Sequence, residues 1–178
     1  GKDIIVEAID TAALSSTQVI RLERGQIQQA SGPIFAEAQS ENSQIAEKQA
    51  IESFLQQYTD IQYNGYYCNK QKKWYAVYLP MANKIELCLE NIERNFSKSQ
   101  VNYRIKLALS HEAVHLAQDC KAGTNNTKMH VLNKEIKVSK YVKSRYTKDD
   151  HKIEAEAWKY QDTDKPYEFV KKYCNKLK

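Results

Sequence analysis

Ser110-His111-Glu112-Ala113-Val114-His115-Leu116-Ala117-Gln118 is the stretch from which this chain is read. It holds His-Glu-x-x-His inside an apolar run that begins at Ile105. Residues four apart share a helix face, so His111 and His115 can offer two imidazole nitrogens to one point. Glu112 stands about 100° round from His111 at roughly 3.6 residues per turn. It can therefore reach a water on a metal without itself being a ligand. Two histidine ligands with a glutamate base in this spacing suit a hydrolytic zinc site. On a half-exposed helix the same three residues would be ordinary surface groups. Ile105, Leu107, Ala108, Leu109, Ala113, Val114, Leu116 and Ala117 argue against that by marking the helix as largely buried. Buried imidazoles with neither a metal nor a hydrogen-bond partner are costly.

Upstream, Ser97-Lys98-Ser99-Gln100 reads as a capping box that opens this helix, which then runs to about Gln118. Before it come three strand-like segments. Ile61 to Cys68 is tyrosine-rich, with Asn64-Gly65 as a turn signal. Lys73 to Leu79 is aromatic and β-branched, Pro80 to Asn83 reads as a turn, and Lys84 to Glu90 alternates apolar with polar residues. These predict a small antiparallel sheet. Further upstream, Ile51, Phe54, Leu55 and Tyr58 recur at helical spacing. Residues 3–30 also read as helix, with Ser15-Ser16-Thr17 as a break and Gly32-Pro33 as punctuation. The glutamine-rich stretch between Gln26 and Gln57 is either a solvated helical face or an arm that packs on a partner.

Downstream, Ala122 to Asn126 closes the histidine helix, and Met129 to Tyr146 is weakly periodic and reads as helix. A further helix spans about Asp150 to Gln161, with Thr147 or Asp149 near its start. Asp164 and Pro166 open a last one, whose stripe is Phe169, Val170, Tyr173, Cys174 and Leu177. A catalytic zinc usually takes three protein ligands and a water, so one ligand is missing from His111 and His115. His130, His151, Glu154 and Glu156 are candidates, with Asp149 and Asp150 behind them. A third histidine six residues after His115 is excluded, because position 121 is Lys.

His111, Glu112, His115 and Gln118, followed by Glu154, Glu156 and Ala157, resemble the gluzincins, especially their small bacterial zincin-like domains. The likeness rests on two short motifs in the right order and not on the whole chain. It implies an α+β, mostly helical, zincin-like domain over 59–178. In it a small sheet packs on the His-Glu-x-x-His helix, and a second helix supplies the glutamate ligand; residues 1–58 form a helical arm or hairpin. It implies Zn2+ on His111, His115 and Glu154, with Glu112 as general base in peptide hydrolysis. His151 and Tyr146, with Tyr160 and His130 behind them, are the candidates for stabilising the transition state. By analogy the Lys84–Glu90 strand would pair with an extended peptide. The chain departs from the family at position 158. Many gluzincins have Asp there to support a histidine, whereas this chain has Trp158. Asp119, Asp150 or a backbone carbonyl are the replacements the sequence suggests. A catalytically inactive zincin-like protein, for example a phage or cell-surface component that engages a partner through its N-terminal helices, fits the same residues.

Composition narrows the field further. The 178 residues suffice for one domain with a real core. The net charge of +5 is concentrated in the lysines after Lys121. No arginine–aromatic array accompanies them, so no nucleic-acid partner is expected. No apolar run reaches the roughly 18 residues of a membrane span. Nor is a signal peptide visible, although a chain opening on Gly1 fits a processed form or a cut piece. Cys68, Cys88, Cys120 and Cys174 contain no Cys-x-x-Cys pair. They read either as two disulfides, Cys68–Cys88 across strands and Cys120–Cys174, or as four reduced thiols. Disulfides would point to a secreted or virion-associated protein.

Overall fold

The computed structural model describes the backbone of residues 33–123 and 128–178, and side chains from residue 41 onward. The helix expected over 3–30 lies outside them. Seven α-helices and three strands are described: α1 (Pro33–Gln56), β1 (Asp60–Tyr63), α2 (Tyr66–Lys70), β2 (Ala76–Leu79), β3 (Lys84–Leu87), α3 (Leu89–Asn95), α4 (Lys98–Ala122), α5 (Lys140–Arg145), α6 (His151–Tyr160) and α7 (Lys165–Tyr173). A 3₁₀ turn (Pro80–Ala82) joins β2 to β3, and another (Lys148–Asp150) leads into α6. The chain is thus mostly helical with one small sheet, an α+β arrangement. No helix among the described residues is long and apolar enough to cross a membrane.

The centre of the molecule is α4, 25 residues long and buried on every side from Leu107 to Gln118. A helix apolar all round must be enclosed by other elements. Here α1, α6, α7 and the sheet enclose it. Ile51, Leu55 and Tyr58 enter the same core as Ile105, Leu109, Ala113 and Leu116, so the end of α1 packs directly on α4. Ser97 is the N-cap as expected, but its hydroxyl faces Ser99 and makes no cap bond. The helix passes Gln118 by one turn and stops at Gly123, whose φ of 86° suits glycine.

The sheet differs from the antiparallel one expected. Its order is β1-β3-β2, with β2–β3 antiparallel and β1–β3 parallel. The hairpin arises because Asn83, at φ 46°, closes the Pro80–Asn83 turn. The parallel pair arises because the chain after Tyr63 turns into α2 at Asn64, at φ 53°, instead of doubling back. Lys84 to Leu87 is therefore the central strand, paired on both sides. It has no free edge for a peptide. The outer strand near α4 is β2, which is buried from Ala76 to Tyr78.

Two further expectations are corrected. Met129 to Tyr146 is helical only over α5, and 131–139 is irregular. The amides of Leu132 and Asn133 are taken by the Glu156 carboxylate, and Ile136 N–H bonds Asn133 oxygen in a turn, so no helical ladder starts there. In the final helix Val170 is buried and Phe169, Tyr173 and Cys174 are half-buried, but Leu177 is exposed; only its amide is engaged, by Gln57 oxygen at 2.7 Å.

Both cysteine pairs are joined, Cys68–Cys88 and Cys120–Cys174. Cys68 lies in the short helix α2 and not in a strand, so the first bond clips a helix to the end of β3. The second ties the last turn of α4 to the segment after α7. The separations are 20 and 54 residues, and a longer closed loop removes more entropy from the unfolded chain. Replacing Cys120 and Cys174 by alanine is expected to lower unfolding free energy by about 4 kcal/mol, and replacing Cys68 and Cys88 by about 3 kcal/mol. Denaturant unfolding of the two double variants checks the order.

Candidate metal centre

Helix α4 carries His111 and His115 one turn apart, with their rings 4.9 Å between centroids. Helix α6 crosses α4 and brings Glu154 against both. His111 Nε2 lies 3.2 Å from Glu154 Oε2, and His115 Nε2 lies 3.2 Å from Glu154 Oε1. Among the described residues these three form the one cluster whose ligating atoms all lie within 4.8 Å of one another. All three side chains are buried.

The other nitrogen of each ring is fixed by a glutamine. His111 Nδ1 is 2.7 Å from Gln161 Oε1, and His115 Nδ1 is 2.8 Å from Gln118 Oε1. An amide oxygen only accepts, so each Nδ1 carries the proton and donates it. In the neutral ring each Nε2 then points a bare lone pair at the Glu154 carboxylate. Two lone pairs facing a carboxylate in a buried site repel unless a positive charge lies between them. This donor set fits a cation, and two imidazoles with one carboxylate suit Zn2+.

Without a metal the charge is a proton. Burial disfavours imidazolium at His115, but Glu154 and then Glu112 outweigh it and raise its pKa to about 9. At His111 burial prevails over Glu154 and the pKa falls. Burial would raise Glu154, yet His115 and the hydrogen bonds from both rings pull it down to about 2. The opposite shifts of His115, upward, and Glu154, downward, both favour a proton held on the ring against the carboxylate when no metal is bound. Metal binding must displace that proton.

Glu112 is buried too, and neither carboxylate oxygen makes a well-formed hydrogen bond among the described residues. Burial raises its pKa to about 8, with His115 and the Tyr78 main chain opposing the shift. The Tyr78 contact follows from sheet register. Cys88 N–H bonds Tyr75 oxygen, so Tyr75, Val77 and Leu79 pair with β3 while Ala76 and Tyr78 turn their main-chain groups to the outer edge of the sheet. The Tyr78 hydroxyl donates to Asp119 Oδ2 at 2.5 Å, fixing this strand to α4.

The support for the histidines differs from that suggested by sequence. Asp119 serves Tyr78, and Asp150 accepts from the Thr147 hydroxyl. Gln118 and Gln161 hold the rings instead. Both were accessible to spacing: Gln118 is seven residues after His111, and Gln161 seven after Glu154, two turns along the same face. Trp158, which stands where an Asp was looked for, packs edge-on against the His111 ring at 5.7 Å. Glu156 is buried but outside the ligating cluster. Among the transition-state candidates, His151 donates Nε2–H to Tyr146 oxygen at 2.7 Å, His130 is exposed, and Tyr160 packs on Phe169. The Tyr146 hydroxyl accepts from Trp158 Nε1 at 3.1 Å and so connects to His111 through that ring.

Residues 34–175 match a family described as a domain of unknown function, DUF8637, and the chain belongs to it. The matched span takes in most of α1, the sheet and both helices of the centre. No curated protein and no solved structure matches the chain.

Glu112 makes a pH signature in the metal-free protein. Its pKa is 4.5 when unperturbed and about 8 when folded, so the folded state holds the proton more tightly. The associated stability is complete below pH 4.5 and is lost as pH rises to about 8. Metal-free Glu112→Gln is expected to melt above wild type at pH 9 and to converge with it at pH 5. Thermal unfolding in chelator at the two pH values checks this, and equal melting at pH 9 would contradict it.

Proposed function

We propose that this protein is a zinc-dependent metallopeptidase of zincin-like fold. One observation carries the reading: Glu112, buried and without a well-formed hydrogen bond, stands on the turn of α4 that carries His111 and His115. A metal site serving only stability has no use for a carboxylate left in that condition, whose cost is considerable. A hydrolytic site does. Its raised pKa also suits a group that takes up and returns a proton near neutral pH.

His111, His115 and Glu154 would hold the ion. Bound there, zinc supplies a Lewis acid that acidifies water and polarises a carbonyl. Glu112 accepts the proton of the attacking water and returns it to the departing amine. Gln118 and Gln161 keep both Nε2 atoms free for the ion. The outer edge of β2, unpaired in the sheet and with the Tyr78 main chain beside Glu112, is the strand with which an extended peptide would pair once that edge is uncovered. The two disulfides suit an oxidising compartment, so a secreted or virion-surface protein is part of the proposal.

The burial of all three ligands favours a second reading, a zincin-like protein that keeps the ion for stability and acts by docking to a partner. Zinc analysis and peptide-library cleavage separate the two. The enzyme reading expects one zinc per chain, lost in His111→Ala and Glu154→Gln and kept in Glu112→Gln. It also expects Glu112→Gln to lower kcat/KM by about a hundredfold or more. Cleavage equal to wild type in Glu112→Gln, or no zinc under metal-replete conditions, would refute the enzyme. Zinc with no cleavage of broad libraries would favour the docking protein.

A further inference from the structure

Glu156 lies two residues beyond Glu154 on α6, roughly 200° round the helix and so turned away from the metal cluster. It is fully buried, and three donors converge on it. Oε1 accepts from Gln118 Nε2 at 2.9 Å and from Leu132 N–H at 2.7 Å, while Oε2 accepts from Asn133 N–H. The other acceptor of Gln118 Nε2 is the Ile153 carbonyl, at 3.0 Å. Both acceptors on that side of the carboxamide are oxygens with no hydrogen to offer. A flipped Gln118 would set oxygen against oxygen at both. Its Oε1 is therefore forced toward His115 Nδ1, and the ring proton is forced onto Nδ1.

We propose that Glu156 is the positioning residue of this centre. Through Gln118 it fixes the His115 tautomer that leaves Nε2 bare, and it couples this to the fold of the irregular 131–133 segment. The inference rests on the metal reading above and gives Gln118 and Glu156, the members of the two motifs that are not ligands, the role of supporting that centre. The segment is held on its other side as well. His130 N–H bonds Gln118 oxygen at 3.1 Å, and Lys121 Nζ bonds Val131 oxygen at 2.8 Å. The chain that shapes the metal site thus runs from the 131–133 backbone through Glu156 and Gln118 to His115.

The substitution Glu156→Gln keeps the volume but replaces one accepting end by a donor. Facing Asn133, the new NH2 opposes an N–H. Facing Leu132 and Gln118, it opposes two donors and frees Gln118 to flip. A flipped Gln118 offers Nε2 to His115 Nδ1 and drives the ring proton to the ligand nitrogen. Zinc affinity is then expected to fall about 10- to 100-fold, the usual range for losing such support. Gln118→Ala should cost a similar factor, and the double variant should bind no more weakly than Gln118→Ala alone, because the two act in series.

The test is zinc affinity by competition with a chromophoric chelator for wild type, Glu156→Gln, Gln118→Ala and the double variant. It is paired with NMR detection of the His115 Nδ1 proton in both metal-free and zinc-loaded protein. The proposal expects a slowly exchanging Nδ1 proton in wild type with or without zinc, and its loss in Glu156→Gln. Wild-type zinc affinity in either single variant, multiplied losses in the double variant, or a protected Nδ1 proton in Glu156→Gln would overturn it. If Glu156→Gln does not fold, Gln118→Ala alone decides, since undiminished affinity there overturns the proposal. A wild type that takes up no zinc, yet shows the protected proton and loses it in Glu156→Gln, would remove the metal reading and leave the hydrogen-bond chain standing.

Discussion

Four ionisable side chains, His111, Glu112, His115 and Glu154, are buried together where α6 crosses α4. Such a cluster can exist in a protein interior only if its charges and donors are matched. The rest of the structure is arranged around that requirement. Apolar residues on the remaining faces of α4 bind α1, α7 and the sheet to it, which makes the helix rigid and keeps solvent from the cluster. Gln118 and Gln161 take the outer ring nitrogens. The inner nitrogens and Glu154 face one another, and only a cation or a proton satisfies them.

The matching is incomplete at one position. Glu112 keeps both oxygens without a well-formed hydrogen bond, while every other carboxylate buried near it is engaged: Glu154 by the histidines, Glu156 by three donors, and Glu86 by the amides of Tyr67 and Cys68. Glu86 shows how closely such groups are fitted. A Cβ on Gly65 would stand 2.5 Å from Glu86 Oε1, so only glycine leaves the carboxylate room to cap α2. Against that standard the condition of Glu112 is an exception, and local exceptions of this kind concentrate where chemistry is carried out.

The edges of the site are also set by topology. The strand whose main chain faces Glu112 is β2, because the parallel β1–β3 pair places β3 in the middle of the sheet. The two disulfides hold this arrangement at distant points. One anchors α2 to the end of β3, and the other anchors the last turn of α4 to the segment after α7. Neither touches the cluster, but together they restrain the sheet and the helix that bound it.

The sequence by itself determined the helix of the two histidines and its glutamate; it named the α6 glutamate among several candidates and the two cysteine pairings as one of two alternatives. Helical spacing and apolar context were enough for the histidine helix, because it depends on residues close together along the chain. The supports of the two histidines were decided by tertiary structure. Asp119 and Asp150 looked suitable, yet α6 crosses α4 at a point that brings Gln161 to His111 and Glu156 to Gln118. The irregular 131–139 segment has a periodicity that reads as helix, but the Glu156 carboxylate claims its amides from 24 residues away. The order of the sheet likewise turns on two left-handed asparagines, Asn64 and Asn83, whose backbone angles settle where the chain reverses. Local pattern fixes which residues can share a face; which faces meet is fixed only when the whole core closes.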